Sequence, residues 1–297
     1  MKYRFFLILT AFFWGCAFVA QRVGMDHIGP FGFNGVRFWV GALAVLPLVW
    51  WLRRTSTDVY QKPPAWLRLP VACTILGFIL FMGSALQQWG LLYTTAGKAG
   101  FITSLYIVVV PLLGLFLKHP LRLSHVLGCV VATFGVYLLA FHGGGEAMNF
   151  GDLLVLIGVL FWSLHILCIS RFVPYFSGVE LAVGQFFMCG VFNFIALVPF
   201  GETLTIAGIL AAAVPILYCG IFSSGIAYTL QIIGQKKVPP TEASLLCSLE
   251  MIFSVLAGML LLDETMTIRE VLGCVFMTIG IVAAQLPSRI ILSLRKE

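Results

Sequence analysis

Residues 241–265 are TEASLLCSLEMIFSVLAGMLLLDET, and from Thr241 to Leu262 every residue is apolar or small except Glu242 and Glu250. As a helix, this stretch is long enough to cross the ~30 Å hydrocarbon core of a bilayer. Glu242 lies in the first turn, where the helix dipole favours a carboxylate. Glu250 lies near the middle, where an acidic side chain costs about 2.5–3.5 kcal/mol and usually faces a cavity or a partner. The stretch therefore predicts a membrane-spanning helix built around one internal carboxylate.

The composition extends this prediction to the whole chain. Of 297 residues, 60% are hydrophobic and only 10% are charged, and the mean hydropathy is +1.03, whereas soluble domains have about 25% charged residues. Apolar runs of about 20 residues exclude an outer-membrane barrel, whose strands alternate over about 10 residues. We expect an all-α polytopic membrane protein with no sizeable soluble domain. The net charge of +6 does not indicate nucleic acid, because the basic residues lie in short loops.

The apolar runs predict ten transmembrane helices, separated by short connections marked by proline. They cover residues 5–24, 32–52, 67–86, 97–117, 121–141, 152–171, 179–198, 206–231, 241–262 and 268–286. The first run has no A-x-A cleavage site after it, so we interpret it as a span rather than a signal peptide.

The distribution of basic residues predicts the orientation, because cytoplasmic loops are rich in Lys and Arg. With the N-terminus in the cytoplasm, 14 of the 18 Lys and Arg residues lie on that side, and Arg22, Lys98 and Arg269 lie on the other. We expect a multi-pass protein of the inner (plasma) membrane with both termini cytoplasmic.

The two halves of the chain resemble each other. Phe13-Trp14-Gly15 matches Phe161-Trp162-Ser163, and residues 127–130 (LGCV) are repeated at 272–275. We expect a first five-helix repeat at 1–142, a Gly-rich connection at 143–150 and a second five-helix repeat at 151–297. Because five is odd, the halves enter the membrane from opposite sides. Inverted repeats are typical of secondary transporters, whose substrate site lies near the midplane.

Three ionisable residues inside the spans are candidates for the site. Glu250 could couple transport to protons or bind a cationic group of a solute, or it could only hold a neighbouring helix. Arg37 could bind a substrate anion; the alternatives are snorkelling to the outer interface or a structural ion pair. His165, three residues after Trp162, could line the cavity, although a buried histidine with a satisfied hydrogen bond is the commoner outcome.

Polar and aromatic residues complete the candidate set. Gln87 and Gln231 end spans 3 and 8 and could bond a polar solute, or they could be hydrated near the interface. Ser248 is a small residue that allows close helix contact and could also bond a ligand. Aromatic residues near the span midpoints could line a cavity, or they could serve in packing: Trp14, Tyr106, Trp162 and Tyr228.

Several kinds of chemistry have no support in the sequence. There is no G-x-x-x-x-G-K-[ST], H-E-x-x-H or G-x-S-x-G motif. The eight cysteines occur singly within apolar runs, as packing residues do. We therefore expect no catalytic residues, no metal and no cofactor, and we expect that the protein is not an enzyme.

The chain resembles the EamA-type transporters of the drug/metabolite transporter superfamily over nearly its whole length. In the first half the resemblance lies in LTAFFWGCAFVAQRVG (9–24), FNGVRFWVGAL (33–43) and residues 86–117. In the second half it lies in LVLIGVLFWSLHILCISR (154–171) and in residues 228–282. Where the family often has Glu-Pro, this chain has Glu250-Met251, which leaves open whether the ninth span is broken there.

The resemblance implies ten helices in two inverted five-helix repeats around a cavity lined mainly by spans 1, 3, 4, 6, 8 and 9. It also implies export of small organic solutes, often amino acids or related metabolites. On this mapping five residues point to the cavity: Trp14, Tyr106, Trp162, Gln231 and Glu250.

Together these observations predict a secondary transporter, an exporter of a small metabolite or amino-acid-like solute that works by alternating access. An uncoupled facilitator or exchanger of the same fold is the first alternative, and a membrane-embedded enzyme acting on a lipid-linked substrate is the second. The expected partners are a small-molecule solute and the lipid bilayer, with no nucleic acid. Nothing in the sequence indicates a homo-oligomer.

Overall fold

The structure is a computed structural model that describes residues 1–56, 59–94, 96–116, 122–140, 149–262 and 267–285. Most of the predicted connection at 143–150 and the acidic pair Asp263-Glu264 lie outside the described residues.

The described residues form ten consecutive helical segments, which we number α1 to α10. Seven are continuous helices: α1 Lys2–Gly24, α2 Pro30–Thr55, α3 Leu69–Gly90, α5 Leu123–Ala140, α6 Phe150–Phe172, α7 Gly178–Phe200 and α10 Ile268–Gln285. Two are broken into halves: α4a Ala96–Ser104 and α4b Tyr106–Phe116, and α9a Pro240–Cys247 and α9b Glu250–Leu262. The eighth, α8, comprises Ile206–Ala211, Ala213–Leu217, a π-helical part Tyr218–Tyr228 and Thr229–Gln235.

Each predicted span coincides with one of these segments, and the ends differ by at most four residues. Within the described part of the chain, seven helices are long and apolar enough to cross a membrane, and shorter apolar helices cover Leu123–Leu138 and Val271–Ala284. The all-α polytopic membrane fold predicted from the sequence is confirmed.

Local sequence signals account for several helix ends. Pro30 occupies the first turn of α2 after Gly29, where its missing N–H is not needed. Asn149 and Asp152 form a capping box at the start of α6. Gly201 ends α7 with φ of 63°, a left-handed conformation that glycine adopts without penalty.

Two helices are interrupted just before a candidate residue. In α9, the N–H groups of Leu249 and Met251 bond carbonyls three residues back, at 3.3 and 3.2 Å, instead of four as in an α-helix. In α4, Leu105 makes the corresponding bond to Ile102 at 3.1 Å. Because Met251 stands where the family often has proline, the sequence left open whether the ninth span is broken. The structure shows that the break is present and that it directly precedes Glu250.

The pattern of contacts between helices is similar when the first five helices are exchanged for the last five. α1 packs against α8 and α9 as α6 packs against α3 and α4, while α2 pairs with α7 and α5 with α10. The α5–α10 pair is held close by glycines: a Cβ atom on Gly280 would lie 2.6 Å from the carbonyl oxygen of Gly128. The division of the chain into repeats at 1–142 and 151–297 stays a prediction, and this symmetry favours it.

Candidate substrate site in the central cavity

A small cavity lies among α1, α2, α3, α4, α6, α8 and α9. Its volume is about 40 Å³, measured as room for the centres of water-sized molecules. The lining residues are Trp14, Phe18, Gln21, Arg37, Gln87, Thr103, Tyr106, Trp162, His165, Ile166, Ser223, Tyr228, Gln231 and Glu250.

Nine of the ten residues singled out from the sequence line this cavity, namely Trp14, Arg37, Gln87, Tyr106, Trp162, His165, Tyr228, Gln231 and Glu250. Ser248 does not. Its buried hydroxyl donates to the carbonyl oxygen of Leu245 at 2.8 Å, so it satisfies the backbone at the break in α9.

Three polar lining residues were missed by the sequence reasoning, namely Gln21, Thr103 and Ser223, and helical spacing points to two of them. Gln21 lies seven residues after Trp14 and Thr103 lies three before Tyr106. Residues at these spacings share a helix face, so helical periodicity around the two aromatic residues was a signal that could have identified them.

Glu250 and Tyr106 meet across the cavity wall. Tyr106 Oη donates to Glu250 Oε1 at 3.0 Å, and the two residues are 3% and 4% exposed. The bond joins the first turns of α4b and α9b, so the carboxylate is positioned by a residue from the other half of the chain.

Arg37 is turned into the protein rather than toward the interface. It is 3% exposed, its Nε donates to Asn34 Oδ1 at 2.8 Å, and its guanidinium carbon lies 4.8 Å from the ring centroid of Phe38. The expectation that Arg37 snorkels is therefore wrong, because the side chain packs among aromatic rings at the cavity.

Neither Arg37 nor Glu250 has an ionic partner in the described part of the chain. The salt bridges there, with N–O distances up to 4.0 Å, are Arg4–Glu242 and Arg53–Glu180. Arg37 and Glu250 thus face one cavity with opposite charges but are not paired with each other. The expectation of a structural ion pair for Arg37 is also not met among these residues.

Aromatic rings form a second part of the wall. The Tyr228 ring lies 4.7 Å from that of Trp14 and 6.3 Å from that of Trp162. Trp14 Nε1 donates to the carbonyl oxygen of Ser223 at 3.0 Å, within the π-helical part of α8, and Trp162 Nε1 donates to Gln87 Oε1 at 3.1 Å. With their N–H groups engaged, the indoles present apolar faces to a solute.

Two buried amide oxygens at the site have no hydrogen-bond partner among the described residues. They are Oε1 of Gln21 and Oε1 of Gln231, whose side chains line the cavity. Leaving such a group unpaired costs about 1–3 kcal/mol, and a polar solute would supply the missing partner. His165 differs, because its Nε2 lies 2.9 Å from Gln185 Oε1.

The described residues contain no group of three or more His, Cys, Asp or Glu side chains that could hold a metal. The eight cysteines are free thiols.

The chain is similar to known membrane transporters over most of its length. An uncharacterized transporter of Archaeoglobus fulgidus is 30% identical over 285 residues, covering 94% of this chain and 84% of the relative. A probable terminal-alkyne amino-acid exporter of Streptantibioticus cattleyicolor is 24% identical and covers 75% of this chain and 72% of the relative. A crystal structure with 19% identity superposes with a TM-score of 0.78 and covers 97% of both chains, which shows a shared fold.

A family model described as the EamA-like transporter family matches residues 1–141 and 149–284. The match covers both halves of the chain and includes every residue that lines the cavity. The chain therefore belongs to the EamA-like transporter family.

Proposed function

We propose that this transporter exports a small zwitterionic, amino-acid-like solute across the cytoplasmic membrane by alternating access, and that the central cavity binds it. The observation that carries the proposal is the pair of opposite charges at one cavity, Arg37 and Glu250, which are not paired with each other. A solute with a carboxylate and an ammonium group would neutralise both.

The two ends of the solute have different partners. Arg37 offers a planar set of donors suited to a carboxylate. Glu250, with the unpaired amide oxygens of Gln21 and Gln231, offers acceptors suited to an ammonium group. The indole and phenol rings of Trp14, Trp162 and Tyr228 would contact the apolar part of the solute.

Alternating access requires the walls of the cavity to move as a solute is loaded and released. Rocking of two inverted five-helix repeats about the cavity would supply this movement.

The two membrane faces differ in how closely the helix ends are packed. We call the face where α1 begins the N-terminal face. On the opposite face, aromatic rings pack between the ends of α2, α3 and α7: the Phe200 ring lies 4.5 Å from that of Phe31 and 5.0 Å from that of Trp89. There Glu202 also accepts a hydrogen bond from the backbone N–H of Gly32 at 2.7 Å.

The N-terminal face instead has a pocket of about 370 Å³, by the same measure, between α1, α2, α7 and α8. The basic residues predict that this face lies in the cytoplasm, and on that orientation the pocket would admit a solute from inside the cell.

The test is uptake into proteoliposomes of a neutral amino acid such as leucine, its amide and its N-acetyl derivative. We expect the free amino acid to be transported in preference to both derivatives, each of which lacks one charge. Arg37→Gln should remove the preference for the acid over the amide, and Glu250→Gln the preference for the free amine over the N-acetyl form.

Arg54→Gln is the matched control, because the Arg54 guanidinium lies over the Trp50 ring, 3.7 Å from its centroid, and does not line the cavity. Equal transport of all three compounds by the wild-type protein would contradict the proposal.

A further inference from the structure

The indole of Trp162 lies flat against the backbone of α3 at Gly83. A Cβ atom on Gly83 would lie 3.1, 3.2 and 3.3 Å from three indole atoms, Cδ2, Cε2 and Cε3. Because these distances are nearly equal, the Cβ would lie over the face of the six-membered ring rather than beside its edge. Carbon atoms in favourable contact are about 3.5–4.0 Å apart. Any residue larger than glycine at position 83 therefore requires the indole to move.

The indole lies between Gly83 and the central cavity. Trp162 lines the cavity, whereas Gly83 does not. Gln87, four residues after Gly83 on the same face of α3, accepts a hydrogen bond from Trp162 Nε1 at 3.1 Å. The same Oε1 atom accepts a second bond from Thr103 Oγ1 at 3.3 Å. The N–H edge of the indole is thus held in place, and a side chain added behind the ring would push the ring into the cavity.

The wall formed by Tyr228 is fixed in a packed cluster. Its ring is nearly parallel to the Trp162 indole, with 21° between the planes and 6.3 Å between the centroids, and it also lines the cavity. The fully buried rings of Phe38 and Phe186 pack against Tyr228, with centroids 6.2 and 6.0 Å away. Tyr228 is itself only 5% exposed. Because this wall has no free space to retreat into, displacement of Trp162 takes room from the cavity.

We infer that Gly83 determines how large an apolar group the transporter accepts, by allowing the Trp162 indole to lie back against α3. The inference rests on the proposed function, since it concerns the side chain of the same amino-acid-like solute. It narrows the substrate class to amino acids with large apolar side chains, such as leucine and phenylalanine, which an aromatic wall suits. Gly83 does not touch the solute, so it is a positioning residue that acts through Trp162.

The experiment measures uptake of labelled phenylalanine and alanine, offered together at equal concentration, into proteoliposomes that contain the full chain. Protein-free vesicles give the background. The ratio of the two initial rates is the ratio of the two kcat/KM values, which expresses selectivity, and it does not depend on how much of a variant is folded. We expect the wild type to transport both amino acids and to prefer phenylalanine.

Gly83→Ala should lower the phenylalanine-to-alanine ratio about tenfold or more, because one methylene in an apolar pocket changes selectivity by roughly 10–200-fold. Gly158→Ala is the matched control at the same contact between α3 and α6. A Cβ on Gly158 would lie 3.5 Å from the carbonyl oxygen of Gly83 and 3.6 Å from Leu86 Cβ, which is ordinary van der Waals contact. Since the added methyl does not press on the indole, we expect the wild-type ratio.

Trp162→Phe tests the same wall in the opposite direction, because it removes the fused ring that the methyl of Gly83→Ala would meet. We expect Trp162→Phe to raise the phenylalanine-to-alanine ratio about tenfold. In that background, Gly83→Ala should change the ratio by no more than about twofold. Such non-additivity is the signature of two residues in direct contact.

The inference is overturned if the wild type prefers alanine, if Gly83→Ala keeps the wild-type ratio, or if Gly158→Ala lowers the ratio equally. It is also overturned if Trp162→Phe does not raise the ratio or does not reduce the effect of Gly83→Ala. A wild type that transports neither amino acid overturns the proposed function as well. Uptake of both amino acids with a ratio that Gly83→Ala leaves unchanged overturns this inference alone.

Discussion

Tyr106→Phe is the most direct test of the arrangement around Glu250. The substitution removes one oxygen atom, which donates to Glu250 Oε1 at 3.0 Å, and keeps the ring. A hydrogen bond to an ionised group contributes about 1.5–3 kcal/mol and a neutral one about 0.5–1.5 kcal/mol. Both residues are almost fully buried, so the lost bond lies away from bulk solvent. We therefore expect the free energy of unfolding to fall by roughly 0.5–3 kcal/mol.

The assay is unfolding by a denaturing detergent in mixed micelles, followed by tryptophan fluorescence. Tyr228→Phe is the matched control, because it removes a phenolic oxygen from the same cavity without touching this bond. A loss for Tyr106→Phe that is no larger than the loss for Tyr228→Phe would refute the reasoning that the bond positions Glu250.

The hypothesis that Glu250 couples transport to protons can be tested by measuring solute accumulation. A proton that moves down one pH unit releases about 1.36 kcal/mol, enough for roughly tenfold accumulation of a solute exchanged one for one. Proteoliposomes with a pH difference of one unit and a clamped voltage should therefore accumulate solute about tenfold, and Glu250→Gln should only equilibrate it. Unchanged accumulation by Glu250→Gln would refute the hypothesis, and equilibration by the wild type would identify an uncoupled facilitator.

Three further predictions concern packing and the two faces. Gly280→Leu should destabilise the protein by about 1–3 kcal/mol in thermal denaturation, because a Cβ there would lie 2.5 Å from the Ala132 nitrogen. Gly201→Asn is the control and should cost less, because a Cβ at that position would lie in open space. Burial raises the pKa of Glu202 despite its hydrogen bonds to Gly32 and Phe31, so the charged form is disfavoured on folding. Glu202→Gln, which keeps an acceptor oxygen, should match the wild type in melting temperature at acidic pH and exceed it as the pH rises; an equal difference at all pH values would contradict this. Arg4→Gln should cost about 1 kcal/mol or less, since the Arg4 side chain is 45% exposed in its salt bridge with Glu242, and restoration of the melting temperature by a charge-swapped pair would verify the contact.

The sequence was sufficient for the fold and for most of the cavity lining. Apolar runs alone set the ten helices, because each must satisfy its own backbone hydrogen bonds in lipid. Polar and aromatic residues near span midpoints, such as Glu250, Trp14 and Tyr106, had to avoid lipid, and the structure places them at one cavity. The orientation of the chain and its division into repeats stay predictions from charge and repetition.

Tertiary packing decided what the sequence left open. The rings of Phe33 and Phe38 lie around Arg37 and keep it at the cavity, although its position near a helix end allowed snorkelling. Whether the hydroxyl of Ser248 faces a ligand or its own helix depended on the break in α9, which no proline marks. The contact between Tyr106 and Glu250 joins residues 144 positions apart. The residues Thr241 to Leu262 establish that a carboxylate lies within the membrane, but only the packing of two broken helices against each other determines its partner.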